Sequence, residues 1–244
     1  MSDRRSIRLF TEHDLDLGLS FALSEAQAHY AIHVMRLRAG DALRIFNGRH
    51  GEWSAQLEVV TKKSCQLRLT AQSRPQPVEP DVWLAFAPLK RVRIDLVAEK
   101  ATELGASVLW PVFTQHTNAE RINLDRLRAT VMEAAEQCDR LTLPDVREPR
   151  ALADVMTQWP HDRRLFVLDE TGGGQPIAAA LSKVASQPCG FLVGPEGGFA
   201  QSELDRLAQL PFVTRIGLGP RILRAETAAL AALVTWQSLV GDWR

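Results

Sequence analysis

Two glycine-bearing segments near the end of the chain hold residues able to do chemistry. FLVGPEGGFA (191–200) sets one carboxylate, Glu196, inside the run Gly194-Pro195-Glu196-Gly197-Gly198. IGLGPRILRAETAAL (216–230) sets Arg221 and Arg224 just after Gly217 and Gly219, with Glu226 following. Glycine turns after strands commonly cradle phosphates. A P-loop, however, needs a lysine and a hydroxyl after its last glycine, and a dinucleotide fingerprint needs G-x-G-x-x-G. Phe199 and Ala200 follow Gly198, and neither spacing is present. The expected ligand is therefore not a polyphosphate. Glu196 suits a ligand carrying positive charge or hydrogen-bond donors, with an exposed turn or a helix cap as the structural alternative. Arg221 and Arg224 are free cations for a site or partners for surface carboxylates. Glu226 is a site acid or a first-turn residue favoured by the helix dipole.

The segments around these turns read as alternating strands and helices. VWLAFAPL, SVLWPVF, RRLFVLDE, GFLVG and VTRIGLG are apolar runs of strand length. RVRIDLVAEKATELG is a helix with Gly105 at its C-terminal stop. LDRLRATVMEAAEQCDR is an amphipathic helix, and QSELDRLAQL a further one with Ser202 and Asp205 as a capping box. AETAALAALVTWQSLVG is apolar nearly all round, so it is expected to be buried on every side, in the core or against a partner. The pattern predicts an α/β domain with a mostly parallel sheet, whose ligands sit at the carboxyl ends of the strands. Both glycine turns lie at such ends.

Before residue 74 the style differs. ALRIF and EWSAQLEVV flank Asn47-Gly48, a hairpin signal, and CQLRLTA alternates again. One helix is expected from Ser24, its N-cap, to Arg36. SRPQPVEPD (73–81) reads as an extended linker because three prolines in nine residues oppose helix and sheet. The chain is expected to divide into residues 1–73, a small β-rich module, and 74–244. Residues 1–75 carry 11 Lys/Arg against 8 Asp/Glu, and residues 76–244 carry 18 against 21, so a chain of zero net charge has a mildly basic beginning. That asymmetry suits a module that touches a polyanion. No apolar run is long enough for a membrane span. Residues 1–10 lack the apolar stretch of a secretory signal. Cys65, Cys138 and Cys189 show neither metal spacing nor a disulfide framework. A cytoplasmic protein with no metal and no membrane partner is expected.

The paired glycine segments resemble the signature of the RsmE family, SPOUT-class methyltransferases of small-subunit (16S) ribosomal RNA. EKATELGASVLWPV (99–112), EAAEQCDR (133–140) and HYAIHVMRLRAGD (29–41) resemble further parts of that family, so the likeness spans nearly the whole chain. Asp139 departs from it, standing where a small residue such as glycine is expected; this bears on the local shape of that helix end. The resemblance implies a SPOUT (trefoil-knotted) α/β domain preceded by a small PUA-like β-barrel that binds RNA. It implies S-adenosylmethionine as methyl donor, N3 of a uridine in 16S rRNA or the small ribosomal subunit as acceptor, and a homodimer. A SPOUT enzyme for another rRNA or a tRNA nucleotide is the nearest alternative. A non-catalytic RNA-binding protein on the same fold is another, opposed by the intact glycine turns.

By the same resemblance, the cofactor surface is assigned to Leu168, Gly194, Pro195, Glu196, Gly197, Gly198, Ile216, Leu218, Gly219 and Leu223. Removing the N3 proton calls for a base, and the negative charge then growing on the uracil oxygens calls for a cation. Arg224 and Arg221 are the candidate cations, and Glu226 and Glu136 the candidate bases. Arg8, Arg36 and Arg38 are the candidate phosphate contacts. If the basic module recruits rRNA, affinity falls steeply with salt as counterions are released. Reversing Arg36 and Arg38 to Glu is then expected to weaken rRNA binding and leave S-adenosylmethionine affinity unchanged, measured by filter binding and calorimetry.

Overall fold

The computed structural model describes residues 7–89, 91–118, 121–184 and 187–244. The chain forms two compact units. One holds the chain up to Val78 together with Ala135–Leu143; the other holds Glu79–Ala134 and Pro144–Arg244.

The first unit is built on β1 (Arg8–Phe10), β2 (Ser20–Ala22), β3 (Ala42–Phe46), β4 (Glu52–Val60) and β5 (Cys65–Arg74), in the order β1-β3-β4-β5-β2. β1 runs parallel to β3, and the other pairs are antiparallel. Alternation along the strands sends Ala55 and Leu57 of β4, and Cys65, Leu67 and Leu69 of β5, into one core. β3 and β4 form the expected hairpin, with a loop of residues 47–51 rather than a two-residue turn. Asn47 accepts the N–H groups of Arg49 and His50 at 3.0 and 2.9 Å, so its side chain organises the loop. β5 takes in Ser73 and Arg74, so the proline-rich linker begins later than its composition suggested.

The helix expected over 24–36 has a capping box at Ser24 and Gln27, but its α-helical part, α1, covers only Glu25–His29. It continues as a π-helical turn over Tyr30–Val34 and ends with Arg36 in the left-handed region at φ 57°.

The polar centre of this unit is Glu52, 1% exposed. It accepts from Arg8 Nε at 2.7 Å and from Arg74 Nη2 at 2.7 Å, with Arg44 at 3.6 Å. Burial pushes the Glu52 carboxyl up, but the hydrogen bonds from Arg74 and Arg8 outweigh it and hold the group at about 2, below its ordinary 4.5. Arg8 is itself buried. It donates from Nη1 to the carbonyl of Ala135 at 2.8 Å and from Nη2 to that of Arg140 at 2.8 Å, and it lies 4.5 Å from the Phe46 ring centre. The expectation that Arg8 meets RNA phosphate is therefore corrected: its guanidinium is consumed inside the unit. Asp139 stands in the left-handed region at φ 64°, the conformation that a glycine there would adopt freely.

The second unit is a sheet in the order β11-β13-β10-β12-β6-β7-β8, with β9 pairing β7 and every recorded pair parallel. Its strands are β6 (Val82–Phe86), β7 (Val108–Phe113), β8 (Asp145–Val146), β9 (Arg150–Ala151), β10 (Arg164–Leu168), β11 (Gln175–Pro176), β12 (Cys189–Val193) and β13 (Val213–Gly217). Its helices are α2 (Arg91–Glu103), α3 (Leu124–Gln137), α4 (Leu152–Gln158), α5 (Ile177–Leu181), α6 (Gln201–Ala208) and α7 (Ala225–Leu239); α3 ends among the residues of the first unit. β8, β9, β11, α4 and α5 are short elements that periodicity did not reveal.

Gly105 follows α2 at φ 81°, as its position at a helix stop requires. The capping carboxylate of α6 is Glu203, which accepts the Ala200 N–H at 2.9 Å, and not Asp205, which accepts from Gln201 at 2.7 Å. Trp83, Trp110 and Trp159 pack on one face of the sheet. Gly190 in β12 makes room for them, since a Cβ there would lie 2.8 Å from the Trp159 ring. α7 packs on α2, α5 and β12. Its buried Gln237 donates to the Leu104 carbonyl at 2.8 Å at the end of α2. Val234 and Leu239 stay exposed at 39% and 44%, so the chain alone does not bury this helix on all sides.

Glu52→Gln removes the buried counter-ion of Arg8 and leaves it only the exposed Asp139 carboxylate at 3.3 Å, a change expected to cost on the order of 3 kcal/mol. The Glu52 carboxyl is depressed on folding, so its stabilising contribution is complete above about 4.5 and is lost as pH falls towards about 2. Chemical denaturation of the parent chain should show stability falling across that window, and Glu52→Gln should flatten the fall.

Candidate active site

β10, β12 and β13 are neighbours and parallel, so three loops distant in sequence emerge at one edge of the sheet. They enclose a cleft of about 720 Å³. Leu168 and Ile216 are register partners at the last rungs of β10 and β13 and form its inner wall. Gly194, Pro195, Glu196 and Gly198 enter from the β12 loop; Leu218, Gly219 and Leu223 enter from the β13 loop. Arg221 and Arg224 also line the cleft. Gly197 does not; a Cβ on it would face His116 at 3.4 Å.

The glycines act in different ways. Gly219 has φ 96°, and nothing lies within 4 Å of where a Cβ would stand, so its backbone is open to a ligand. Gly198 has φ 70° and backs onto Glu170, whose Oε1 would lie 1.9 Å from an added Cβ. That glycine keeps the turn compact.

Three carboxylates here have partners from within the unit. Glu196 forms an ion pair with Arg93 of α2. The Nε of the same arginine is 3.5 Å from Glu226 Oε1, so Arg93 ties the β12 turn to the first turn of α7. Glu226 is buried, and its Oε2 has no hydrogen-bond partner among the described residues. Asp169 follows β10 in the cleft wall. Its Oδ1 accepts from Thr171 Oγ1 at 2.7 Å, and its Oδ2 accepts from Arg215 Nε at 2.9 Å. Burial pushes Asp169 up, but the bonds from Thr171 and Arg215 prevail and hold it below the usual carboxylate range. It remains a fixed anion.

Glu136, the other candidate base, is placed elsewhere. It belongs to the first unit, where its carboxylate accepts the Phe10 N–H at 2.9 Å, and it is not among the residues of this cleft. Arg36 and Arg38 are exposed in the first unit. Sequence reading missed Arg93, Asp169, Glu170 and Arg215. Asp169 and Glu170 carried a usable signal, since they follow an apolar strand at the ligand end of the sheet. Arg93 carried none, being 103 positions from Glu196.

The composition of the cleft fits S-adenosylmethionine. Its size suits a ligand of that class. Apolar walls and open backbone suit an adenosine, carboxylates suit a sulfonium and an ammonium, and among the described residues no lysine lines it as a polyphosphate would require.

The RNA methyltransferase domain model matches residues 75–237, and the RNA methyltransferase PUA domain model matches residues 23–70. The chain is 33% identical to the ribosomal RNA small subunit methyltransferase E of Rickettsia conorii, over 86% of each chain. It is 32% identical to the protein of that name from Synechocystis, over 96% of this chain and 78% of the relative. The crystal structure of the Neisseria gonorrhoeae ribosomal RNA small subunit methyltransferase E, bound to S-adenosylmethionine, superposes with a TM-score of 0.90 at 24% identity, covering 98% of this chain and all of that one. A putative methyltransferase of Legionella pneumophila, also with bound S-adenosylmethionine, gives 0.83 at 26% identity, over 98% and 99%. Two domain models in tandem, the SPOUT-class sheet behind a PUA-like module, and relatives matched over most of their length place the chain in one group: it belongs to the RsmE family of RNA methyltransferases.

Proposed function

We propose that the chain methylates N3 of a uridine in small-subunit (16S) ribosomal RNA, using S-adenosylmethionine held in the cleft between the β10, β12 and β13 loops. The observation that carries this reading is the cleft itself: an open Gly219 backbone and an apolar wall, with Arg221 and Arg224 at the same edge and no lysine in the lining among the described residues. The relatives named ribosomal RNA small subunit methyltransferase E support it.

When bound, S-adenosylmethionine supplies an electrophilic methyl group. The residues of the chain deal with the acceptor. N3 of uracil carries a proton and has no free lone pair in the imide, so the proton must leave as the N3–methyl bond forms. Negative charge then spreads to the two ring oxygens, where Arg224 or Arg221 stabilises it. Of the two candidate bases, Glu226 is the one beside the cleft, tethered by Arg93 through one oxygen and unpartnered at the other. Glu196, paired with Arg93, orders the β12 turn around the donor.

In this reading residues 1–73 are a PUA-like RNA-binding domain, with Arg36 and Arg38 on phosphates, and residues 74–244 are the catalytic domain. The functional form is a homodimer in the cytoplasm, with the exposed Val234 and Leu239 of α7 helping to form its interface.

Gly219→Val puts a branched side chain at φ 96° and into the cleft. Calorimetry should show S-adenosylmethionine affinity falling by tenfold or more, about 1.4 kcal/mol, while the thermal transition shifts little. Wild-type affinity in the folded variant removes this turn from the cofactor site.

Arg224→Ala tests the chemistry. Single-turnover methylation of small subunits, with both substrates saturating, should slow by about a hundredfold. Arg224→Lys should recover part, because an ammonium lacks the planar fork. Raising the pH should partly rescue Arg224→Ala, since more of the imide is already ionised. A slow variant with the wild-type pH profile would make Arg224 a positioning residue instead.

A further inference from the structure

A second cavity, of about 590 Å³, shares Pro195 and Glu196 with the cofactor cleft. We infer that it receives the target base, unstacked from the RNA, and that the side-chain amides of Asn118 and Asn123 read its imide edge. The inference rests on the methyltransferase reading above and names the site of its acceptor.

Adjacency is the first argument. Methyl transfer requires the acceptor nitrogen within roughly 3–3.5 Å of the carbon it attacks, so the acceptor must share a wall with the donor. The Pro195–Glu196 turn is the wall common to both cavities. It is held by Arg93 on one side. On the other, His116 Nδ1 lies 3.2 Å from the carbonyls of both Gly197 and Gly198. Carbonyls only accept, so that nitrogen carries the proton and donates.

Chemistry is the second. Leu89, Ile94 and Leu127 give the cavity an apolar floor against which a ring can pack. A base taken out of its stack needs such a surface, together with polar groups for its pairing edge. Asn118 and Asn123 line the same cavity. Asn123 Oδ1 accepts the Arg126 N–H at 2.9 Å, which fixes the amide and leaves its NH2 to donate. Asn118 has no hydrogen-bond partner among the described residues. Uracil offers acceptor, donor, acceptor across O2, N3–H and O4. Amide NH2 groups suit the two oxygens, and suit them better once N3 has lost its proton. Cytosine would turn an amino group towards a donor instead.

Charge is the third. Asp95, an acid in the lining, is paired with Arg126, whose Nε lies 3.0 and 3.1 Å from its two oxygens. Glu196 is paired with Arg93. Arg121 adds a cation. The cavity therefore does not repel a nucleotide and its phosphate.

Two variants test this in the full-length chain. Asn118→Asp replaces a donor with an anion facing the developing uracil charge. Ile122→Trp fills the cavity from its wall. The measurements are single-turnover methylation of small ribosomal subunits and S-adenosylmethionine affinity by calorimetry. Both variants are expected to lose at least about tenfold in methylation rate, with cofactor affinity within twofold of the parent. Asn118→Asp should also lose more rate than Asn118→Ala. Parent-like methylation by both variants overturns the inference, and so does a loss of rate matched by an equal loss of cofactor affinity. Failure of the parent chain itself to methylate small subunits overturns the methyltransferase reading, and the base pocket with it.

Discussion

Everything at the site depends on where β13 joins the sheet. It does not pair with β12, the strand before it, but inserts on the far side of β10. Parallel pairing then forces the loops after β10, β12 and β13 to leave from one edge, and α7 must return to pack on α2, α5 and β12. A one-residue slip of this register would turn the wall residues Leu168 and Ile216 to the other face of the sheet. Short connections hold the register, including β11, which pairs Gln175 with Ile216. A Cβ on Gly174 would lie 2.5 Å from the Ile216 backbone, so only glycine allows that approach.

The second organising feature is the distribution of acids and arginines within each unit. In the second unit, Glu196 and Glu226 share Arg93, and Asp169 holds Arg215. These pairs balance the charge of Glu196, Glu226 and Asp169 at the edge of an apolar cleft. They also fix the loops before any ligand arrives, which lowers the cost of ordering them on binding. In the first unit the same device serves folding: Glu52 gathers Arg8, Arg44 and Arg74 at the centre of a small sheet. A unit of this size has limited apolar core, and a buried ionic centre joins β1, β4 and β5 at the risk of a large loss if one member is removed.

The exposed apolar side chains of α7 and the paired acids of the cleft belong to one picture. The sheet edge that carries the cleft lies next to α7, which the chain leaves partly uncovered at Val234 and Leu239. The adjoining cavity lined by Asn118 and Asn123 shares Pro195 and Glu196 with that edge.

Much of this was legible in the sequence. Apolar runs of strand length alternating with helices gave the parallel sheet, because a strand buried on both faces has to be apolar throughout. Gly105, Asn47 and the glycine turns marked their own positions, since backbone conformation at positive φ and side-chain-capped loops are local matters. The missing lysine after Gly198 excluded a polyphosphate, and the paired glycine segments pointed to the family. Tertiary structure alone decided the rest. Arg8 looked like a surface cation and is buried on Glu52; Glu136 looked like a base and caps the backbone of β1. Arg93 drew no attention and joins the two acids of the site. An isolated charge in a sequence does not reveal its partner. Ion pairs form between side chains that the fold brings together from distant positions, whereas turns, caps and periodicity are fixed by neighbours within a few residues.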